Sequence, residues 1–556
     1  MPSSAGWRRR TPIVAGLVVT VLAGLALTVA RHAPRPPVAP RAAIRAALHD
    51  PATARALAGS RWNRVSAAPL DAQLERVSFW AGEQIVAQAA VNGRAQVVQA
   101  QDFHAERVPY GDWIAYEPAL LIGLGAIFLA VTLVVPWRRV RNLDALAAQS
   151  LVVSVVLFQR RYLDPSLVAA APGLLYLMAR CAWLALGRAP RAAPSTPLLI
   201  AVSPRMSPGR RIRWLRVALL VLGIVFVMVG VSSPFAVDVT YAVMEGATVL
   251  IHGVLPYGHL PPGILHGDTY PILSYALYTP LALIAPVRSE WNSVDAALVV
   301  AVTAALVGAW AALRSVAAGS RRNRRPDAEE AGLRAAIAVL AFPALLITVS
   351  TGTTDIVLAA MLGLALLLWR RPAAGSALLA VAGWFKLAPF ALLPLFLAPL
   401  RGRRLAAGLV ASAVVSLAVL ALVVSLGGGR GIVEMAHAVS YQFTRGSDQS
   451  LWSALGIGGL QPLAQACVLG LIAVGALALW RDPGLADEPR RVAAICASVL
   501  IGLQLAADYW AFLYVVWVVP ALCVSVLAPG IPEVPAWPVL APADAAPATR
   551  EEALAA

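Results

Sequence analysis

From residue 118 to residue 528, apolar runs alternate with short arginine-bearing connections. Most of the runs approach or exceed the roughly 18–20 residues that carry a helix across a bilayer. The runs are 118–136, 144–159, 165–187, 214–234, 294–313, 333–350, 354–370, 403–426, 462–480, 491–507 and 509–528, with two shorter arms within 375–400. With an N-terminal segment, WRRR followed by TPIVAGLVVTVLAGLALTVA, read as a signal anchor over residues 1–30, the count is about 14 spans. The pattern predicts an all-α polytopic membrane protein.

The arginines orient it. Basic clusters at WRRVRN, GRRIRWLR, RSVAAGSRRNRRPD, WRRRP and RGRR fall on one side of the alternation, as cytoplasmic loops should. QRRYLD, after 144–159, is the exception. Two long connections, 235–293 and 427–460, then lie outside, and both termini lie in the cytoplasm. So do all seven histidines fall outside: His32, His49, His104, His252, His259, His266 and His437.

One stretch is polar. Residues 31–116 begin Pro-rich, continue with helical character over 41–58, and then alternate as strands in LERVSFW, EQIVAQAAV and RAQVVQAQ. Asn92-Gly93 joins the last two as a hairpin signal. The expectation is a small extracytoplasmic α+β module that could dock a protein partner. Residues 117–213 are then accessory spans, 214–528 the functional membrane domain, and 529–556 a Pro/Ala-rich cytoplasmic tail expected to be disordered.

Composition sharpens this. The chain is 59% hydrophobic and 13% charged, with a mean hydropathy of +0.72, against roughly 25% charged residues in a soluble domain. The net charge of +16 is accounted for by the basic loops and does not call for nucleic acid. Cys181, Cys467, Cys496 and Cys523 fall in apolar runs, with no CxxC pair, and read as packing residues. No GxGxxG or Walker sequence supports dinucleotide or ATP binding. Among 45 basic residues there is a single lysine, Lys386; arginine-rich codon usage explains its neighbours but not its own retention.

The chemistry-bearing residues gather in the outer loops. Residues 239–252 predict an amphipathic helix lying in the interface, with Asp238 at its start and Glu245 its other acid. IHGVLPYGHLPPGILHGDTYPILSYALYTP follows, its Pro and Gly residues imposing an irregular backbone that stays at the interface and does not cross. A carboxylate there can serve as a general base or hold a divalent cation. Asp268 can equally organise its Gly-Asp-Thr turn, and His259, His266 and Asp268 form a candidate metal set whose spacing does not bring them together. Tyr257 and Tyr270 suit an interface and can stack on sugar rings. Asp355 opens a span in STGTTD, and Lys386 lies at the turn between two arms in WFKLAP, where an ammonium could meet a lipid phosphate. Glu434, His437, Arg445, Asp448 and the Asp508-Tyr509-Trp510 triplet add polar groups to the same side.

An acid after an early span, G-x-x-L/I-x-x-G-x-x-P-Y and a Y-P segment, then a polar-Asp turn and an arm ending G-x-x-K-x-x-P, resemble the GT-C superfamily of integral membrane glycosyltransferases. The nearest group is the bacterial polyprenyl-phosphate-mannose-dependent mannosyltransferases, including a branch in which HGDTY recurs. The resemblance covers about 214–528 and departs at 351–355, where Thr-Gly-Thr-Thr-Asp stands for a common Gly-Gln-x-Asn. It implies sugar transfer from a polyprenyl-phosphate donor to a cell-envelope acceptor on the outer face of the plasma membrane. Asp238 would be the catalytic base, Lys386 the group facing the donor phosphate, and Asp268 and Asp355 acceptor or divalent-cation (Mg or Mn) ligands. Two other readings compete. A transporter or flippase expects ionisable groups at mid-membrane, where the runs are nearly free of acids. A non-catalytic envelope-assembly protein would use the polar module for docking.

Overall fold

In a computed structural model, the described residues are 38–527, apart from 59–60, 70–73, 82–83, 103–112, 161, 188–195, 234–236, 261–266, 286–289, 320–324 and 445–448. The expected signal anchor and C-terminal tail, and His32, His104, His266, Arg445 and Asp448, lie outside them.

The polar stretch folds as two short helices on a four-stranded antiparallel sheet in the order β1-β2-β3-β4. Helices Pro40–His49 and Pro51–Ala56 replace the single helix expected over 41–58. Asp50 ends the first in an extended conformation, as a residue before proline prefers, and its carboxylate caps the second by accepting from the Thr53 N–H at 2.8 Å. The strands are β1 (Arg64–Pro69), β2 (Leu74–Ala81), β3 (Gln84–Asn92) and β4 (Val97–Asp102); β1 was not anticipated. In the β3–β4 turn the Asn92 side chain accepts from the N–H groups of Arg94 and Gln96, both at 3.0 Å. Val77, Phe79, Ala87, Ala89 and Val91 pack with Ala43 and Ala47 as a separate small core.

The remainder is a helical membrane body. Among the described residues seven helices are long and apolar enough to cross a membrane, or eight if a bent pair counts as one. This is fewer than the 14 anticipated. Of the rest, the expected signal anchor lies outside the described residues, Pro118–Thr132, Thr354–Leu367, Pro372–Phe385 and Ala388–Leu397 are too short to span alone, and 509–528 divides into Phe512–Trp517 and Val519–Ser525. Proline sets several of these limits. The run 333–350 bends by 56° between Ala341 and Pro343. Phe342, the residue before the proline, leaves the helical region there (ψ 111°).

Helix Glu290–Gly319 packs against Pro208–Val231, Arg325–Ala341 and Thr354–Leu367, and Pro489–Ala506 lies against Leu163–Leu186. Almost every residue of Pro489–Ala506 from Val492 onward is buried, so it is a central element. Pro208–Val231 and Gly402–Thr444 instead leave Leu220, Ile224, Met228, Leu409, Val414 and Leu417 exposed, the outward face expected of helices bounded by lipid. Cys181, Cys496 and Cys523 are buried and Cys467 is exposed, all as free thiols. A buried acid does enter a span. Asp144 is fully buried near the start of Val140–Gln159, where it accepts from Tyr176 at 2.8 Å and from Arg180 at 3.2 Å. Its partners make it a neutralised tie between neighbouring helices.

The connection expected over 427–460 also differs from expectation. The helix that enters it runs from Gly402 to Thr444, so residues 429–444 of the presumed loop are helical. The break falls at Gly428 (φ 59°, ψ −150°), a backbone conformation open essentially to glycine alone.

Candidate active site around Lys386

The connection expected over 235–293 forms a braced platform. Its helix spans Asp238–Ile251 and is more deeply packed than an interfacial helix need be: Val239, Thr240, Ala242, Val243, Met244, Gly246 and Ala247 are all buried. Asp238 opens it, exposed, with a carboxylate oxygen accepting from the Val239 N–H at 2.8 Å. Two residues on, the Thr240 hydroxyl donates to the Thr351 carbonyl at 2.8 Å. This bond ties the acid-bearing helix start to the turn that leads into Asp355. Glu245 is half-buried on the same helix, and burial raises its carboxyl above the usual range.

The irregular stretch after this helix is organised by tyrosines. Tyr275 is fully buried against Gly246, where a Cβ would clash with its ring. The Tyr275 hydroxyl donates to the Gly267 carbonyl at 2.6 Å and accepts from the Tyr270 N–H at 3.2 Å. The Tyr257 hydroxyl reaches the Tyr270 carbonyl at 3.4 Å. Burial pushes the hydroxyls of Tyr275 and Tyr257 up, with the Asp268 charge adding to both. They therefore stay protonated and act as hydrogen-bond donors. Ser274 donates to the Phe385 carbonyl, which docks this loop beside Lys386. Helices Leu273–Ala276 and Thr279–Ile284 follow, both too short to cross.

Asp268 accepts from the Gly258 N–H at 2.9 Å, closing the loop between them. His259 donates from Nδ1 to the Tyr257 carbonyl at 2.8 Å. Among the described residues no three His, Cys, Asp or Glu side chains come together as metal ligands. Asp268 and His259 each make a loop bond, and His266, the third member of the expected metal set, lies outside the described residues.

Asp355 and Lys386, 31 residues apart, meet directly. Lys386 follows the end of helix Pro372–Phe385 in an extended conformation (φ −147°, ψ 135°). That conformation turns the side chain away from the helix axis and towards the start of Thr354–Leu367. Its Nζ lies 2.6 Å from Asp355 Oδ1. The same oxygen accepts from the Trp517 indole N–H at 2.8 Å, and Asp355 Oδ2 accepts from the Thr353 hydroxyl at 2.6 Å. Asp355, expected as an acceptor or divalent-cation ligand, here receives an ammonium, an indole and a hydroxyl on its two oxygens. The rings of Tyr514, Trp517 and Tyr270 stand 5.4, 5.6 and 6.0 Å from the ammonium, within range of cation–π attraction. Tyr514 and Trp517 stack on each other at 4.5 Å.

Lys386, Asp355 and Tyr270 thus share one site, and Tyr257 and Asp268 brace its wall. Asp238 connects to it through Thr240 and Thr351, while His266 falls outside the described residues. Trp517, Tyr514 and Thr353 were missed. The first two sit in an apolar run, 509–528, that reads simply as a span; their i, i+3 aromatic spacing next to Asp508-Tyr509-Trp510 was the available signal.

The partly exposed ammonium offers a cation and the aromatic rings flat faces, with a fixed carboxylate beside them that offsets the charge. The family model described as glycosyltransferase family 87 matches residues 269–507. This match indicates a glycosyltransferase of a membrane family. The matched region contains Tyr270, Asp355 and Lys386, whereas Asp238, Asp268, Tyr514 and Trp517 lie beyond its ends. No curated protein and no solved structure matches the chain.

Proposed function

We propose that the protein transfers a sugar from a polyprenyl-phosphate donor to a cell-envelope acceptor on the extracytoplasmic face of the plasma membrane. The observation that carries this reading is the chain's single lysine held in an aromatic cage within the segment similar to glycosyltransferase family 87. Glycosyl transfer from a lipid phosphate requires two things of the protein. One is a cation for the phosphate that leaves; the other is a base for the hydroxyl that attacks.

Lys386 supplies the first, as a compact point charge with rotatable donors. Asp238, exposed at the start of the loop helix, supplies the second. The acceptor oxygen bonds to the anomeric carbon as the bond from that carbon to the phosphate oxygen breaks. The acceptor proton passes to Asp238, and the electron pair leaves with the polyprenyl phosphate, whose charge Lys386 offsets. Tyr270 and Tyr514 provide faces on which a sugar ring can stack. The membrane domain 214–528 would carry the reaction, and the 31–116 module would serve a protein partner.

The test is transfer itself. The protein is reconstituted in lipid with a radiolabelled polyprenyl-phosphate sugar and envelope acceptors, and label in the acceptor is counted. Asp238→Asn should reduce transfer by at least about a hundredfold, the lower end for loss of a general base, with expression unchanged. Full activity in that variant would refute the assignment.

A further inference from the structure

We infer that Asp355 is the resident counter-ion of Lys386, competing with lipid phosphate for the same ammonium and thereby promoting release of the bare lipid phosphate after transfer. This rests on Lys386 being the phosphate-binding group.

The two partners are held very differently. Asp355 is 1% exposed and receives donors from three separate segments: Thr353 beside it, Lys386 after helix Pro372–Phe385, and Trp517 beyond Pro489–Ala506. With an indole and a hydroxyl still bound, the carboxylate keeps its place when the ammonium leaves. Lys386 is on a flexible four-carbon stem and retains 12% exposure, so it is the mobile partner. The faces of Tyr270, Tyr514 and Trp517 at 5.4–6.0 Å give the ammonium a favourable path between carboxylate and ligand.

Charge then separates substrate from product. A sugar-linked polyprenyl phosphate is a phosphodiester with one negative charge. The released monoester, with a second pKa near 6, carries close to two at neutral pH. A lysine alone would hold the product more firmly than the donor and stall turnover. A fixed carboxylate next to that lysine repels the dianion more than the monoanion and offers the ammonium an alternative partner.

Equilibrium binding to the full-length protein in lipid nanodiscs tests this, with a short-chain polyprenyl phosphate as probe and the corresponding neutral polyprenol as control. Asp355→Asn should bind the phosphate roughly tenfold tighter than wild type and Lys386→Ala roughly tenfold weaker, each about 1.4 kcal/mol. The polyprenol should bind all three alike. Weaker or unchanged phosphate binding in Asp355→Asn, with Lys386→Ala weakened, would overturn the counter-ion role and leave Lys386 as the phosphate group. Unchanged binding in Lys386→Ala would overturn both. Should Asp355→Asn fail to fold, wild-type protein carrying [ε-13C]lysine gives one lysine NMR signal. That signal should shift with polyprenyl phosphate and stay put with polyprenol; an unmoved signal overturns the inference.

Discussion

At the scale of single residues, the identity of position 386 carries more than its charge. Every other basic residue is arginine, yet a guanidinium is not a larger ammonium. Its planar fork prefers bidentate, in-plane partners and stacks flat on rings. The cage presents one carboxylate oxygen already shared with Trp517 and three ring faces about an ammonium, a setting for a compact ion. Lys386→Arg is therefore expected to lower kcat/KM for the lipid-linked donor by about tenfold or more, measured in reconstituted membranes beside an exposed control such as Arg404→Lys. The lysine was legible in the sequence because its scarcity sets it apart. Its partner was not. Asp355 lies 31 positions upstream and Trp517 162 positions beyond Asp355, and nothing in spacing or hydropathy reports a pairing across that separation. Asp268 could be read as organising its own Gly-Asp-Thr turn, whereas its observed bond reaches the Gly258 N–H ten residues upstream.

At the scale of elements, the apolar pattern reveals helices but not where proline stops them from spanning. The run 333–350 breaks at Pro343, and Thr354–Leu367 and Pro372–Phe385 are 14 residues each. The strands of the polar module were readable from alternation, apart from β1, whose Ala-Ala-Pro end weakens the strand signal. Alternation also exposes a misfit: Glu75 shares the inward face of β2 with Val77 and Phe79. It is fully buried, and among the described residues neither of its carboxylate oxygens has a hydrogen-bond partner. Burial pushes its carboxyl up to about 6, from an ordinary 4.5. The unfolded chain ionises first, so the stabilising effect of the protonated acid is complete below pH 4.5. It declines as pH rises through 4.5 to 6 and does not return above that. Glu75→Gln should accordingly slow amide exchange across Leu74–Ala81 at pH 7.5 and leave it unchanged at pH 4; equal exchange at pH 7.5 would mean that Glu75 finds a partner.

At the scale of the whole molecule, the reading depends on which side of the membrane holds the cage. Arginine asymmetry assigns the loop bearing His259 to the outside and Arg371 to the cytoplasm. His259 and Arg371 are both exposed, so single cysteines there can report it once Cys467 is replaced by serine. In intact cells, His259→Cys should react with a membrane-impermeant maleimide, and Arg371→Cys only after permeabilisation. The reverse pattern would move the site to the cytoplasm. The tie between Asp355 and Lys386 has a further consequence during biogenesis. Each is an ion at the end of an apolar helix, where a charge left alone against lipid is costly. They emerge from the ribosome on successive arms, so each can neutralise the other as soon as the second arm is made. Trp517 is synthesised 131 residues after Lys386. Until it arrives the lysine–aspartate pair must be self-sufficient, and only with Trp517 in place can that insertion partnership become a binding site.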